Sequence, residues 1–111
     1  MSLEATETEC AANAVAPRVS LQSMKDNIAG EFFFTASDAL NALQMPALPP
    51  TEVLSICILV MKNGFSVIGK SAPASPENFN AELGRKLAYE DAIRQVWPLE
   101  GYALRSKLAG A

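Results

Sequence analysis

The chain has 111 residues, enough for one domain with one core. Half of them are apolar and 19% are charged, so the bulk of the chain folds rather than staying disordered. A net charge of −3 argues against a protein that coats nucleic acid by bulk charge, and the absence of histidine excludes a histidine triad, a proton shuttle or a His-ligated metal.

Residues 1–17 carry Glu4, Glu7 and Glu9 without a cation and end on Pro17. This composition predicts a disordered acidic arm, followed by a single α+β domain over 18–111. The arm holds the whole charge imbalance: residues 18–111 set nine basic against nine acidic side chains. MSLEATETEC has acids where a signal peptide needs cations, and the longest apolar run, Ile56 to Met61, is too short to span a bilayer. A cytoplasmic chain with no membrane partner is expected. Cys10 and Cys57 form no C-x-x-C pair, so Cys57 reads as a buried free thiol.

Ser20 is an expected N-cap, and Leu21, Met24, Ile28 and Phe32 follow at helical spacing. A helix is predicted over 20–30, ended or bent by Gly30 and the Phe32-Phe33-Phe34 triplet. Ser37 or Asp38 then caps a short helix carrying Ala39, Leu40, Ala42 and Leu43. Pro46, Pro49 and Pro50 make 45–51 a connector. Val53 to Met61 (VLSICILVM) is the strongest strand, and Phe65 to Lys70 (FSVIGK) is a second. Asn63-Gly64 between them predicts a two-residue type I′ hairpin, which sets Val60 opposite Val67, Leu59 opposite Ile68 and Cys57 opposite Lys70. The first strand is apolar on both faces; helices cover one, and the other face or the open edge is an expected self-association surface.

Ser75-Pro76 opens a predicted long helix, with a stripe of Phe79, Leu83, Leu87, Ala88, Ala92, Val96 and Trp97 through 76–96. Pro98 stops it or begins a last short helix over 99–108. The fold class is therefore α+β: an antiparallel hairpin packed against an N-terminal helical part and a long C-terminal helix, in an oligomer.

Phosphate-binding glycine loops are absent, Glu90 and Asp91 point about 100° apart on a helix, and neither EF-hand nor cysteine cluster exists, so no catalytic group, metal or cofactor is assigned. Phe79 is expected in the first helical turn between Asn78 and Asn80. There its ring either anchors the helix to the hairpin or stacks on a base whose edge the two amides read. Lys70, Arg85 and Arg105 are available cations for an anion; Arg105 and Lys107 equally suit a helix C-terminus.

NGFSVIGKSA, SPENFNAELGRKLAYEDAIRQVWPLEGYALRSKLAG and, upstream, MKDNIAGEFFFTASDAL together resemble the phage and prophage gene product 49 / gene 66-like family over about residues 19–109. That family includes the Thoeris anti-defence sponges. The resemblance implies a phage-encoded protein that sequesters, without cleaving, a host cyclic nucleotide immune signal: a cyclic ADP-ribose isomer, or a cyclic trinucleotide. It implies a dimer or trimer of dimers with ligand sites between subunits, acting in the host cytoplasm, and no enzyme activity. Under it the expected ligand groups are Phe79, Asn78, Asn80, Lys70, Arg85, Asp91 and Arg105. Asp91, standing where many relatives carry Asn, marks an altered polar contact. Pro73 stands where relatives carry Cys, which removes a thiol role there. The competing reading is a small phage accessory protein that binds a host protein through its exposed strand.

Overall fold

The computed structural model describes residues 2–14 and 16–110; the expected arm and domain also extend over Met1, Val15 and Ala111, which lie outside the described residues. In chain order it forms α1 (Leu3–Asn13), α2 (Leu21–Asp26), β1 (Ile28–Thr35), α3 (Ala36–Ala42), a 3-10 turn (Pro49–Val53), β2 (Ser55–Met61), β3 (Ser66–Ser71), a second 3-10 turn (Pro76–Asn78) and α4 (Ala81–Leu108). The strands make one antiparallel sheet in the order β1-β2-β3. The α+β class expected from the sequence is observed, with one strand more than the hairpin.

Where a disordered acidic arm is expected over 1–17, the chain forms a helix over Leu3–Asn13. The Ser2 hydroxyl caps it by accepting from the Ala5 N–H at 3.1 Å, and Leu3 is buried in the core. Glu7 forms an ion pair with Arg18 and accepts the Leu21 N–H, so α1 is tied to the start of α2. The Arg18 hydrogen bond, followed by the Leu21 bond, holds the Glu7 carboxyl below its ordinary value of 4.5. A depressed carboxyl stabilises the fold above its unfolded-state pKa, and that contribution is lost as pH falls through its folded-state pKa. Urea melts from pH 7 down to pH 3 are expected to show wild type above Glu7→Gln at neutral pH and the gap closing on the acid side.

The helix expected over 20–30 is shorter. Ser20 caps α2 in a reciprocal box with Ser23, but the helix ends at Asp26 and the chain extends into β1. Ile28 and Phe32, at helical spacing in the sequence, lie in that strand. Pairing wins because β2, apolar on both faces, is the central strand and needs hydrogen-bond partners on both edges. The next helix is capped by Thr35, in a box with Asp38, rather than by Ser37 or Asp38 alone. The proline connector contains one 3-10 turn at Pro49–Val53.

The hairpin register also differs from expectation by one residue. Leu59 pairs with Val67, Ile58 with Ile68 and Cys57 with Gly69. Lys62, Asn63 and Gly64 form a longer loop, closed by Met61 N–H to Phe65 O at 2.8 Å. Gly64 takes φ +91°, while Asn63 does not enter the left-handed region that a type I′ turn demands at both positions. Its Oδ1 instead accepts the Phe65 N–H at 2.9 Å. A one-residue slip turns every β3 side chain over. Val67 is consequently buried with Leu59, and Ile68, expected as the partner of Leu59, is 57% exposed.

The core lies between the inner sheet face and α4. Cys57, Leu59, Met61 and Val67 meet Ala88, Ala92, Ile93 and Val96, with Met24, Leu21 and Leu3 closing one end. Burial is the larger cause, and the Glu31 charge the smaller, of a Cys57 thiol pushed up to about 11. Cys10 is exposed. One thiol per chain is expected to react with a disulfide reagent in native buffer at pH 8, and the second only after unfolding. Rapid native reaction of two equivalents would contradict the packing.

α4 also closes the outer edge of β3. The Lys70 N–H donates to Asp91 Oδ2 at 3.0 Å, and Gln95 Nε2 donates to the Ile68 carbonyl at 2.6 Å, one helical turn on. The opposite sheet face is uncovered. Across it Phe32, Ile58 and Ile68 align in one row, with Phe32 54% exposed. No described helix is long and apolar enough to cross a membrane.

Candidate functional site

The long helix begins later than expected and runs further. Ser75-Pro76 starts only a 3-10 turn; Asn80 is the N-cap of α4, its Oδ1 accepting the Leu83 N–H at 3.0 Å. Pro98 lies inside α4, so the two helices expected over 76–96 and 99–108 are one element. The Pro ring removes one N–H from the helical ladder without ending it.

Phe79 therefore sits immediately before the helix cap, not in its first turn. At this position an apolar side chain commonly packs on the residue four places into the helix. Here that residue is Gly84, where an added Cβ would press on Ser55 Oγ and come within 3.6 Å of Phe79 Cε1. The ring lies half-buried beside a surface with no side chain of its own. It borders two adjoining clefts: one of about 80 Å³ with Asn78, Asn80, Ser55 and Ser71, another of about 120 Å³ with Phe33, Asp38 and Arg85. Arg85 and Phe33 continue into a third, of about 310 Å³, where Lys25, Lys86 and Tyr89 join them. Together these form a shallow trough around the first half of α4, the first cleft lying against Ser55 of β2 and Ser71 of β3 and the other two against β1.

The trough is positive at one end and amide-lined at the other. Lys25, Arg85 and Lys86 stand against Glu31, and none of the three cations enters an ion pair among the described residues. The rings of Phe33 and Tyr89 meet at a centroid distance of 6.5 Å and a 37° tilt. Burial first, then the neighbouring Glu31 charge, pushes the Tyr89 hydroxyl up to about 12, so it stays protonated and able to donate. The arrangement offers an aromatic face, side-chain amides, hydroxyls and cations, which suits a ring bearing phosphate. No group of metal-ligating side chains occurs among the described residues.

Of the expected ligand residues, the fold brings Phe79, Asn78, Asn80 and Arg85 to this trough. It places Lys70 elsewhere, on the open sheet face opposite Ile56, and commits the Asp91 carboxylate to the Lys70 amide. Arg105 lies in the last turn of α4, about 30 Å along the helix from Arg85. Lys25, Phe33 and Tyr89 went unnoticed in the sequence. Helical spacing over 20–30 conceals Phe33, because strand alternation is what turns it to the inner face with Cys57; nothing within its own helix marks Lys25.

The family model for the phage protein (N4 Gp49/phage Sf6 gene 66) family matches residues 19–108 of this chain. No curated protein and no solved structure matches it.

Proposed function

This chain belongs to the phage protein (N4 Gp49/phage Sf6 gene 66) family, and from that premise we propose that it is a sponge: it binds a small anionic cyclic nucleotide of host immune signalling and holds it intact. The ligand class is a cyclic ADP-ribose isomer, with cyclic trinucleotides as a second candidate class, and the place of action is the host cytoplasm.

The observation that carries this reading is the position of Phe79 between the amide-lined cleft and the cleft of Arg85. A stacking face beside unpaired cations is what a base and a pyrophosphate need from one surface. Sequestration is mass action, so useful binding is nanomolar, about 12 kcal/mol. A shallow trough on one chain leaves much of a ligand in water, so tight retention requires a second body over it. A second copy of this chain is the proposed cover, and the row of Phe32, Ile58 and Ile68 supplies apolar surface for self-association. Arg105, about 30 Å along α4 from Arg85, and Lys70, whose side chain lies on the open sheet face, are then available to a neighbour.

A second reading draws on the same sheet. β1 is an edge strand, and a host protein segment adding to it would make this a small accessory protein.

Titration calorimetry with cyclic ADP-ribose isomers and cyclic trinucleotides, together with sedimentation at micromolar concentration, separates the two. The sponge reading expects saturable heat with one ligand class, a sedimenting dimer or larger species, and unmodified ligand recovered after heat denaturation. A monomer with no heat from any of these ligands would end it, and one stoichiometric host protein retained without nucleotide would favour the second reading.

A further inference from the structure

A separate pocket of about 370 Å³ opens between the hairpin loop and the part of α4 around and beyond Pro98. It shares no residue with the Phe79 trough and stands independently of the sponge reading. Met61, Phe65, Val96 and Leu99 form its apolar walls, and Asn27 and Glu100 close one end. The volume falls within the range of small-molecule sites, roughly 300–1,000 Å³, and the lining has the usual make-up of apolar walls with few polar groups.

Two features point to an occupant. First, Phe65 and Leu99 are 54% and 46% exposed at this pocket, leaving apolar area that a flat molecule would cover. Second, the half-buried Glu100 carboxylate is weakly engaged. Asn27 Nδ2 approaches its two oxygens at 3.3 and 3.4 Å, beyond the usual N–H···O range, and Glu100 enters no ion pair among the described residues. Lys62 lines the same pocket without pairing to it, so the charges of the lining cancel while both carboxylate oxygens keep acceptor capacity. Paired acceptors beside an apolar wall match parallel N–H donors, the geometry that makes guanidinium–carboxylate contacts strong.

We propose that this pocket binds a small, flat, apolar molecule carrying two adjacent N–H donors on one edge, an amidine or cyclic-guanidine edge, which it donates to Glu100. The test uses the full chain, labelled with ¹⁵N, and 2-aminobenzimidazole as the probe. Saturable amide shifts are expected at Asn63, Phe65 and Glu100. Benzimidazole, the same ring with a single N–H, should bind about tenfold more weakly. Glu100→Gln should abolish the preference for the amino ring, Leu99→Asp should weaken both compounds, and Phe79→Ala should change neither. Equal affinity for the two rings, stronger binding of benzoate, or shifts confined to Asn78–Arg85 would each overturn the assignment. Retention of the preference in a folded Glu100→Gln variant would do the same.

Discussion

Replacing Gly69 by alanine is expected to destabilise the protein by about 3 kcal/mol, lowering its melting temperature by ~15 °C. Gly69 sits on β3 opposite Cys57, with the α4 backbone at Ala88–Ala92 packed directly on it. A Cβ there would lie on the Ala88 carbonyl oxygen, 2.5 Å from the Ala92 nitrogen and 2.8 Å from its Cβ. The obstacle is helix backbone, so no side-chain rotation relieves it. Helix and strand must separate, which loosens Leu59 and Ile93 and strains the Asp91 and Gln95 bonds to β3. A loss of that size consumes much of the 5–15 kcal/mol that ordinarily separates folded from unfolded chains. The contrasting variant is Gly101→Ala. Gly101 lies in α4 with nothing within 4 Å of an added Cβ, so alanine should stabilise by up to about 1 kcal/mol through helix propensity. Thermal and urea melts of both variants check the pair, and a Gly69→Ala loss of less than about 1 kcal/mol would contradict the close crossing.

The same crossing marks what the sequence discloses. Ala88, Ala92 and Val96 fall on one helical stripe, and VLSICILVM reads as a strand without further help; both elements exist, but the helix runs over Ala81–Leu108 rather than ending near Pro98, and the strand starts at Ser55 because Val53 closes the 3-10 turn. Register is different. Asn-Gly serves a two-residue loop and a longer loop with glycine in the left-handed region, and the choice rests on whether the Asn63 side chain is used for its own backbone. β1 illustrates a further limit. Leu21, Met24, Ile28 and Phe32 satisfy a helical period locally, and only the hydrogen-bonding demand of β2, far along the chain, draws Ile28 and Phe32 into the sheet. The functional surface inherits this division. Asn78, Phe79, Asn80 and Arg85 are close in sequence and readable as a group, whereas Lys25, on α2, and Phe33, on β1, reach the same trough only once β1 pairs with β2.

Phe79→Ala is expected to weaken binding of the cyclic nucleotide by about 30-fold while leaving the melting temperature within about 3 °C of wild type. Base stacking on an aromatic ring contributes roughly 1–3 kcal/mol, and about 2 kcal/mol corresponds to that factor. The ring is half-buried and stands outside the core cluster, before the α4 cap that Asn80 provides without it. Stacking and scaffolding therefore separate in one variant. If Phe79 were chiefly an anchor for the helix, truncation would cost stability as any large core side chain does, about 3–5 kcal/mol. Arg85→Ala gives the electrostatic half of the same contrast. Its loss should weaken binding and flatten the salt dependence of affinity, since one fewer cation meets the phosphates. Calorimetry at two salt concentrations reads both effects. A Phe79→Ala protein that melts far lower and, at a temperature where it stays folded, binds as tightly as wild type would assign the ring to the core and move the ligand elsewhere.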